Sequence, residues 1–301
     1  MAGTFKETIR IGTMVGGNAS SHEYIRQILP HGFESFSLSF GETCLGADLK
    51  KLAADIHRVL EGSGAVISSV SIYGNPLMDH EKGKATRESW ERLIDAAGLF
   101  GCDLVAGFAG RLVDKPINES MTQYKKVFGP LAKHAADKGV RLAFENCSMD
   151  GDWNRGDWNI AQTPICWEMM FDAVPADNVG LQWEPCHQMV KLIDPIPQLR
   201  KWVKKVFALH GKDATVAWDV IREYGIRGPK AWAWHRTPGF GDSNWTDIIT
   251  ILRQGGFTGS IDIEGWHDPV YRGDLEMTGQ VHALNYLKRC RGGSFVPNPK
   301  V

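Results

Sequence analysis

The stretch Val-Arg-Leu-Ala-Phe-Glu-Asn (140–146) is a short apolar run closed by an acid, and Asn-Val-Gly-Leu-Gln-Trp-Glu (178–184) repeats the form. Lys-Val-Phe-Ala-Leu-His (205–210) and Gly-Ser-Ile-Asp-Ile-Glu (259–264) continue it. Working outward toward the N-terminus, apolar or β-branched runs at 9–14, 33–39, 65–73 and 103–108 bring the candidate strands to eight. Helical periodicity fills the intervals, as at 49–60, 87–100, 124–138 and 245–254. Strands alternating with helices imply a parallel sheet. Asp137-Lys138-Gly139 and Gln254-Gly255-Gly256 stop helices just before the fifth and eighth strands, as glycine does at helix ends. An open doubly wound sheet is the competing arrangement. No Gly-x-Gly-x-x-Gly follows the first strand, however, and the last strand has the character of an inner one, so the expected fold is α/β, a closed (β/α)8 barrel. Residues 1–290 form that single domain, and 291–301, with Gly-Gly and two prolines, are expected as a loose surface tail.

Composition narrows the function. The chain has 301 residues, 43% hydrophobic and 23% charged, with a formal net charge of −1. Nothing there draws in nucleic acid or anionic lipid. The sequence has neither a basic segment leading into an apolar one at its start nor an apolar run of membrane-spanning length, so a cytoplasmic protein with no membrane partner is expected. Cys44, Cys102, Cys147, Cys166, Cys186 and Cys290 are scattered without a Cys-x-x-Cys pair. They read as reduced thiols rather than disulfides or a cysteine zinc site.

The chemistry sits where the last four strands end, at Glu145, Glu184, His210 and Glu264. In a parallel barrel these ends open on one face, so residues distant in sequence converge there. Three carboxylates and an imidazole make an oxygen-rich site for one divalent metal ion, Mn²⁺ before Mg²⁺, Co²⁺ or Zn²⁺. Any single acid at a strand end is unremarkable. Four together need a counter-charge, and with few arginines nearby a metal is expected to supply it. Lys212 is placed to stabilise a developing oxyanion, and Asp213 to hold Lys212 or His210 in orientation. The loop Asp-Gly-Asp-Trp-Asn-Arg-Gly-Asp-Trp-Asn (150–159) is too polar for a core segment. Trp153 and Trp158 are therefore candidates for an aromatic wall against a sugar ring, with Arg155, His235 and Arg236 as further ligands for substrate oxygens.

The motifs Phe-Glu-Asn (144–146), Gly-Leu-Gln-Trp-Glu-Pro-Cys-His (180–187), His-Gly-Lys-Asp (210–213), Pro-Gly-Phe-Gly (238–241) and Ile-Glu-Gly-Trp-His-Asp-Pro (263–269) resemble, in order, those of the xylose isomerase-like barrel superfamily. The likeness is to its sugar phosphate isomerase/epimerase group in particular. It covers nearly the whole chain and implies that Glu145 and Glu264 serve both as metal ligands and as a proton-transferring pair. It also implies that His187 contacts substrate hydroxyls or shares in proton transfer. Glu184 departs from the aspartate usual at its position. The activity implied is removal of a proton beside a sugar carbonyl through a metal-bound enediolate, with isomerisation or epimerisation following from where the proton returns. Elimination from the same enediolate would make a lyase, and Glu-Asn-Cys-Ser-Met-Asp-Gly (145–151) somewhat resembles the large subunits of 3-oxo-C-glycoside deglycosidases.

Apurinic endonucleases share the barrel and several of these acids. The chain offers no extra histidines after the third and fourth strands to complete their metal cluster, and it lacks the positive charge that phosphate binding needs. A non-catalytic sugar-binding barrel would keep the fold with an incomplete metal site. The expected partner is a small carbohydrate or glycoside, in free or glycosidic form rather than phosphorylated, since no phosphate-gripping Gly-rich loop is evident. A homo-oligomer or a small activating partner subunit stays open, because barrels of this type often pair.

Overall fold

The computed structural model describes residues 9–293 and 296–299. Ten strands run in chain order: β1 (Arg10–Gly16), β2 (Ser35–Ser39), β3 (Val66–Ile72), β4 (Leu104–Gly107), β5 (Arg141–Glu145), β6 (Val179–Trp183), β7 (Val206–Gly211), β8 (Asp213–Val216), β9 (Ala233–Arg236) and β10 (Ser260–Ile263). Eight close into a parallel barrel in the order β1-β10-β7-β6-β5-β4-β3-β2, while β8 and β9 pair antiparallel as a separate hairpin. The helices are α1 (Ser21–Ile28), α2 (Leu49–Leu60), α3 (Glu81–Ala96), α4 (Met121–Asp137), α5 (Pro164–Ala173), α6 (Cys186–Met189), α7 (Pro195–Trp202), α8 (Trp218–Tyr224), α9 (Trp245–Gln254) and α10 (Glu276–Cys290). All eight expected strands are present and form the expected closed barrel.

Strand alternation explains how the barrel is filled. Val105, Leu142, Phe144, Leu181, Leu209, Ile261 and Ile263 point outward into one large core under the helices. There Phe144, Phe128, Trp90 and Tyr124 stack edge-on, Phe128 and Phe144 at 4.7 Å between centroids. Leu104, Ala106, Ala143 and Ala208, of the opposite parity, form a separate small cluster inside the barrel. Below the C-terminal mouth, the rest of the interior includes polar side chains bonded to one another. Asp262 accepts from Ser35 Oγ and Ser68 Oγ, both at 2.7 Å, and Ser37 bonds Ser69 at 2.8 Å. Gly12 of β1 has no room for a side chain: a Cβ there would lie 2.1 Å from Ser35 Oγ.

Helix α3 begins at Glu81 rather than at 87, because His80 caps it by accepting from Gly83 N at 3.1 Å, and its first turn is too polar to show an apolar stripe. Helices α2 and α9 match their sequence readings and are N-capped by Asp48 and Asn244. The hairpin was not evident in the sequence: its two strands have four residues each and are separated by α8 rather than by a turn motif. Arg291, the first residue of the stretch read as a tail, is buried and donates to Ile9 O and to both oxygens of Glu34. No helix among the described residues is long and apolar enough to cross a membrane.

Candidate metal and active site

The alternation that puts Ala143 and Ala208 inside the barrel puts Glu145 and His210 inside as well, two residues further up β5 and β7. By the same count Glu184 follows Gln182, Lys212 follows His210 and Glu264 follows Asp262. All of them are buried at the C-terminal mouth. His210 Nδ1 lies 3.3 Å from Glu145 Oε1 and 3.2 Å from Glu264 Oε2. One ligand atom from each of Glu145, Glu184, His210 and Glu264 falls within 4.8 Å of the others.

The backbone at this mouth is pinned by amides. Asn146 donates to Glu184 O at 2.9 Å and accepts from Glu184 N at 2.8 Å, which ties the ends of β5 and β6 together. Asn159 donates to Glu145 O at 2.7 Å. Tyr73 Oη sits 3.3 Å from His210 Nε2 and donates to Gln182, so the far ring nitrogen is held while Nδ1 faces the acids.

Both oxygens of Glu184, His210 Nδ1 and Glu264 Oε2 are buried without a well-formed hydrogen bond; their near neighbours are one another and His187, whose Nε2 stands 2.6 Å from Glu184 Oε1. Such orphaned acceptors are costly, and their convergence with three carboxylates fits a divalent cation of the Mn²⁺ or Mg²⁺ type. A second trio, Glu145, Cys147 and His187, also comes within 4.8 Å. The Lys212 ammonium, 3.4 Å from His187 Nε2, opposes a cation there.

Two expectations need correction. A metal is not the only counter-charge, because Lys212 Nζ donates to Glu264 Oε1 at 2.9 Å from a fully enclosed position. Burial opposes ionisation of Glu264, but Lys212 and His210 outweigh it and hold the carboxyl well below its usual range. Burial likewise opposes charge on His210, yet Glu145 and Glu264 push it up to about 10. His187 goes the other way: burial, Lys212 and His235 drive it well below the usual histidine range, so it is neutral although its Nε2 is 2.6 Å from Glu184 Oε1. Burial and Lys212 bring His235 down to about 4. Asp213 holds neither Lys212 nor His210. It accepts from Ala214 N, Ser243 N and Trp245 Nε1, and so fastens the hairpin to the loop before α9. That loop contains Pro-Gly-Phe-Gly (238–241), where Gly239 has φ +94° and a Cβ on Gly241 would lie 2.4 Å from Asp213 Cγ. Phe240 between them stacks on Tyr271 at 4.0 Å and His282 at 4.1 Å.

A cavity of ≈ 690 Å³ opens above these residues. Glu145, Glu264, His187, His210, Lys212, His235 and Trp158 all line it, whereas Glu184 is fully buried and does not. Trp153, Arg155 and Arg236 do not line it. Trp153 is exposed, its carbonyl taken by Arg111 and Ile117; Arg155 is exposed; and Arg236 is bound to Asp268 at 3.0 Å and to Thr215. His267 escaped the sequence reading. Its Nε2 lies 2.8 Å from Glu264 Oε1, and its ring is 5.7 Å from that of His235. The signal was there: Glu264-Gly-Trp-His267 repeats the Glu-x-x-His spacing of Glu184-Pro-Cys-His187. Tyr73, Phe108 and Trp266, which also line the cavity, carry no such signal.

A closed βα barrel with acids and an imidazole convergent at its strand ends defines a class of barrel with a candidate metal centre at the C-terminal face. Within it, the chain belongs to the xylose isomerase-like TIM barrel family, whose model matches residues 25–290. A curated relative, the uncharacterised protein YfiH of Bacillus subtilis (strain 168), is 24% identical over 242 residues, covering 70% of this chain and 74% of that one. Among solved structures, a xylose isomerase domain protein from Planctomyces limnophilus superposes with a TM-score of 0.70 at 19% identity, over 94% of this chain and 97% of that one. The 3-keto-D-glucoside 4-epimerase YcjR from E. coli gives a TM-score of 0.70 at 15% identity, over 94% and 100%. A D-psicose 3-epimerase gives 0.67 at 15% identity, over 95% and 100%.

Proposed function

We propose that this protein is a divalent-metal-dependent enzyme that removes and returns a proton beside a sugar carbonyl, acting as a sugar epimerase or isomerase. The observation that carries the reading is the pair Glu145 and Glu264, on β5 and after β10, flanking His210 over a cavity of sugar size. Named epimerases among the structural neighbours support the general kind. Held by Glu145, Glu184, His210 and Glu264, Mn²⁺ or a similar ion would supply Lewis-acid stabilisation of the negative charge that proton removal leaves on the sugar oxygens.

The chain's own groups do the rest. Glu145 and Glu264 approach from different strands, so one takes the proton and the other returns it. Lys212 keeps Glu264 ionised and offers a fixed positive charge to a developing oxyanion. His187, neutral, can both donate to and accept from a substrate hydroxyl. Trp158, Trp266 and Phe108 wall the mouth against water and give the sugar ring an apolar face.

The same walls favour one second reading. Three aromatic side chains around the cavity would also accept an aromatic aglycone, and proton removal followed by loss of that group would make the protein a lyase for 3-oxo-glycosides. The test is metal content of the purified protein together with deuterium uptake from D₂O into ketoses and 3-oxo-glucosides, with and without Mn²⁺. We expect about one metal ion per chain and metal-dependent exchange, and the products separate epimerase, isomerase and lyase. Protein that binds no metal would sink the four-ligand site.

A further inference from the structure

A second cavity, ≈ 500 Å³, adjoins the acid-lined one. Ser148, Asp150, Val190 and His235 line both, so the two cavities abut across these four residues. The far wall is the excursion between β8 and β9: Ile226, Gly228, Pro229, Lys230 and Trp232. The near wall is the loop after β5. There Met149 and Asp150 both hold left-handed backbone, φ +47° and +62°, and consecutive non-glycine residues in that region are a strained conformation kept at functional sites.

The outer lobe's chemistry is specific. Trp232 Nε1 is committed to Ile226 O at 2.9 Å, so what remains of that side chain is its ring face. Lys191 reaches in from the end of α6, half-buried, with one donor on Gly151 O at 3.1 Å and others to spare. Ser148 and Asp150 add a hydroxyl and a carboxylate. An aromatic face beside hydroxyl, carboxylate and ammonium groups is how proteins bind a polyhydroxylated ring, whereas a flat aromatic group would leave these polar groups unpaired.

We infer that the site takes a substrate of two sugar units, with the reacting ring over Glu145 and Glu264 and a second glycosyl ring in the outer lobe against Trp232. This rests on the proposed sugar chemistry for the inner lobe and adds the substrate's size and the nature of its aglycone. A single ketose would fill only half the site.

The experiment uses two matched pairs on the Mn²⁺-loaded protein. Calorimetric binding compares methyl glucoside with glucosyl glucoside, and deuterium exchange compares the corresponding 3-oxo forms. The second ring is expected to tighten binding and lower KM roughly tenfold. Trp232→Ala should erase that advantage while leaving the methyl compounds unchanged, and Trp232→Phe should retain most of it. Equal affinity for both compounds in the wild-type protein, or an equal loss for both in Trp232→Ala, overturns the inference. Binding answers this without turnover: a second-ring advantage with no exchange in any compound would refute the enolisation reading alone, and exchange with no such advantage would refute the outer subsite alone.

Discussion

Lys212 is the side chain whose environment differs most from what its neighbours in sequence suggest. An ammonium enclosed this fully persists because Glu264 is 2.9 Å away, and removing it leaves a carboxylate in low dielectric. Lys212→Met should destabilise the metal-free protein by about 3 kcal/mol. Denaturant unfolding with and without Mn²⁺ measures this, and added metal should narrow the gap because a cation can take over the charge on Glu264. Glu145 makes a sharper test of chemistry, since Gln keeps its shape while losing the charge that serves both metal binding and proton transfer, and the metal content of the variant separates the two roles. Glu145→Gln should lower the deuterium exchange rate roughly 10²- to 10⁴-fold with an unchanged circular dichroism spectrum. Exchange at the wild-type rate would remove Glu145 from the mechanism.

At the level of elements, all eight barrel strands were readable from their apolar runs, and β5, β6, β7 and β10 carry a second signal, an acid or imidazole at or just past the strand end, which parity converts into position. Once β5 is fixed by Phe144 facing the helices, Glu145 must face the interior. His267 was missed for the opposite reason: it follows β10 in a loop, where no periodicity dictates direction. The repeated Glu-x-x-His spacing hints at it, and its contact with Glu264 places it in the site. Trp153 and Arg155 illustrate the same limit, since a polar, tryptophan-rich loop says that it lies at the rim but not which side chains turn inward, and Arg236 ends the unforeseen strand β9, bound to Asp268. The hairpin of β8 and β9 was hidden because its strands are short and half-exposed, and its stability rests on Asp213. Asp213→Ala strands Ala214 N, Ser243 N and Trp245 Nε1 together. It should cost about 3 kcal/mol and expose residues 217–232 to limited proteolysis. Unchanged proteolytic resistance would show that the hairpin holds itself.

Across the whole molecule, Glu34 and Arg291 join the end of α10 to the start of the barrel. Burial opposes charge on Glu34, but the Arg291 guanidinium, the Ile11 N–H at 2.9 Å and Lys288 outweigh it and hold the carboxyl below its usual range. A lowered folded-state pKa means that the stabilisation is complete above the unfolded value and is lost as pH falls through the folded one. Glu34→Gln should therefore lower Tm at pH 7 by roughly 2–4 °C, and the difference from wild type should shrink toward pH 3. A difference independent of pH would mean that packing rather than charge holds this corner.

The barrel's closing seam pairs Arg10 with Ser260 and Thr13 with Ile263. During synthesis β1 is made before every other strand of the barrel, and its final neighbour β10 after all of them. Until β10 is made, one edge of β1 offers unpaired amides and carbonyls to any nearby strand, a recognised route to aggregation. A barrel of this topology cannot close until β10 has been made, and a nascent chain stalled before β10 is the form that a cell's chaperones would most need to shield.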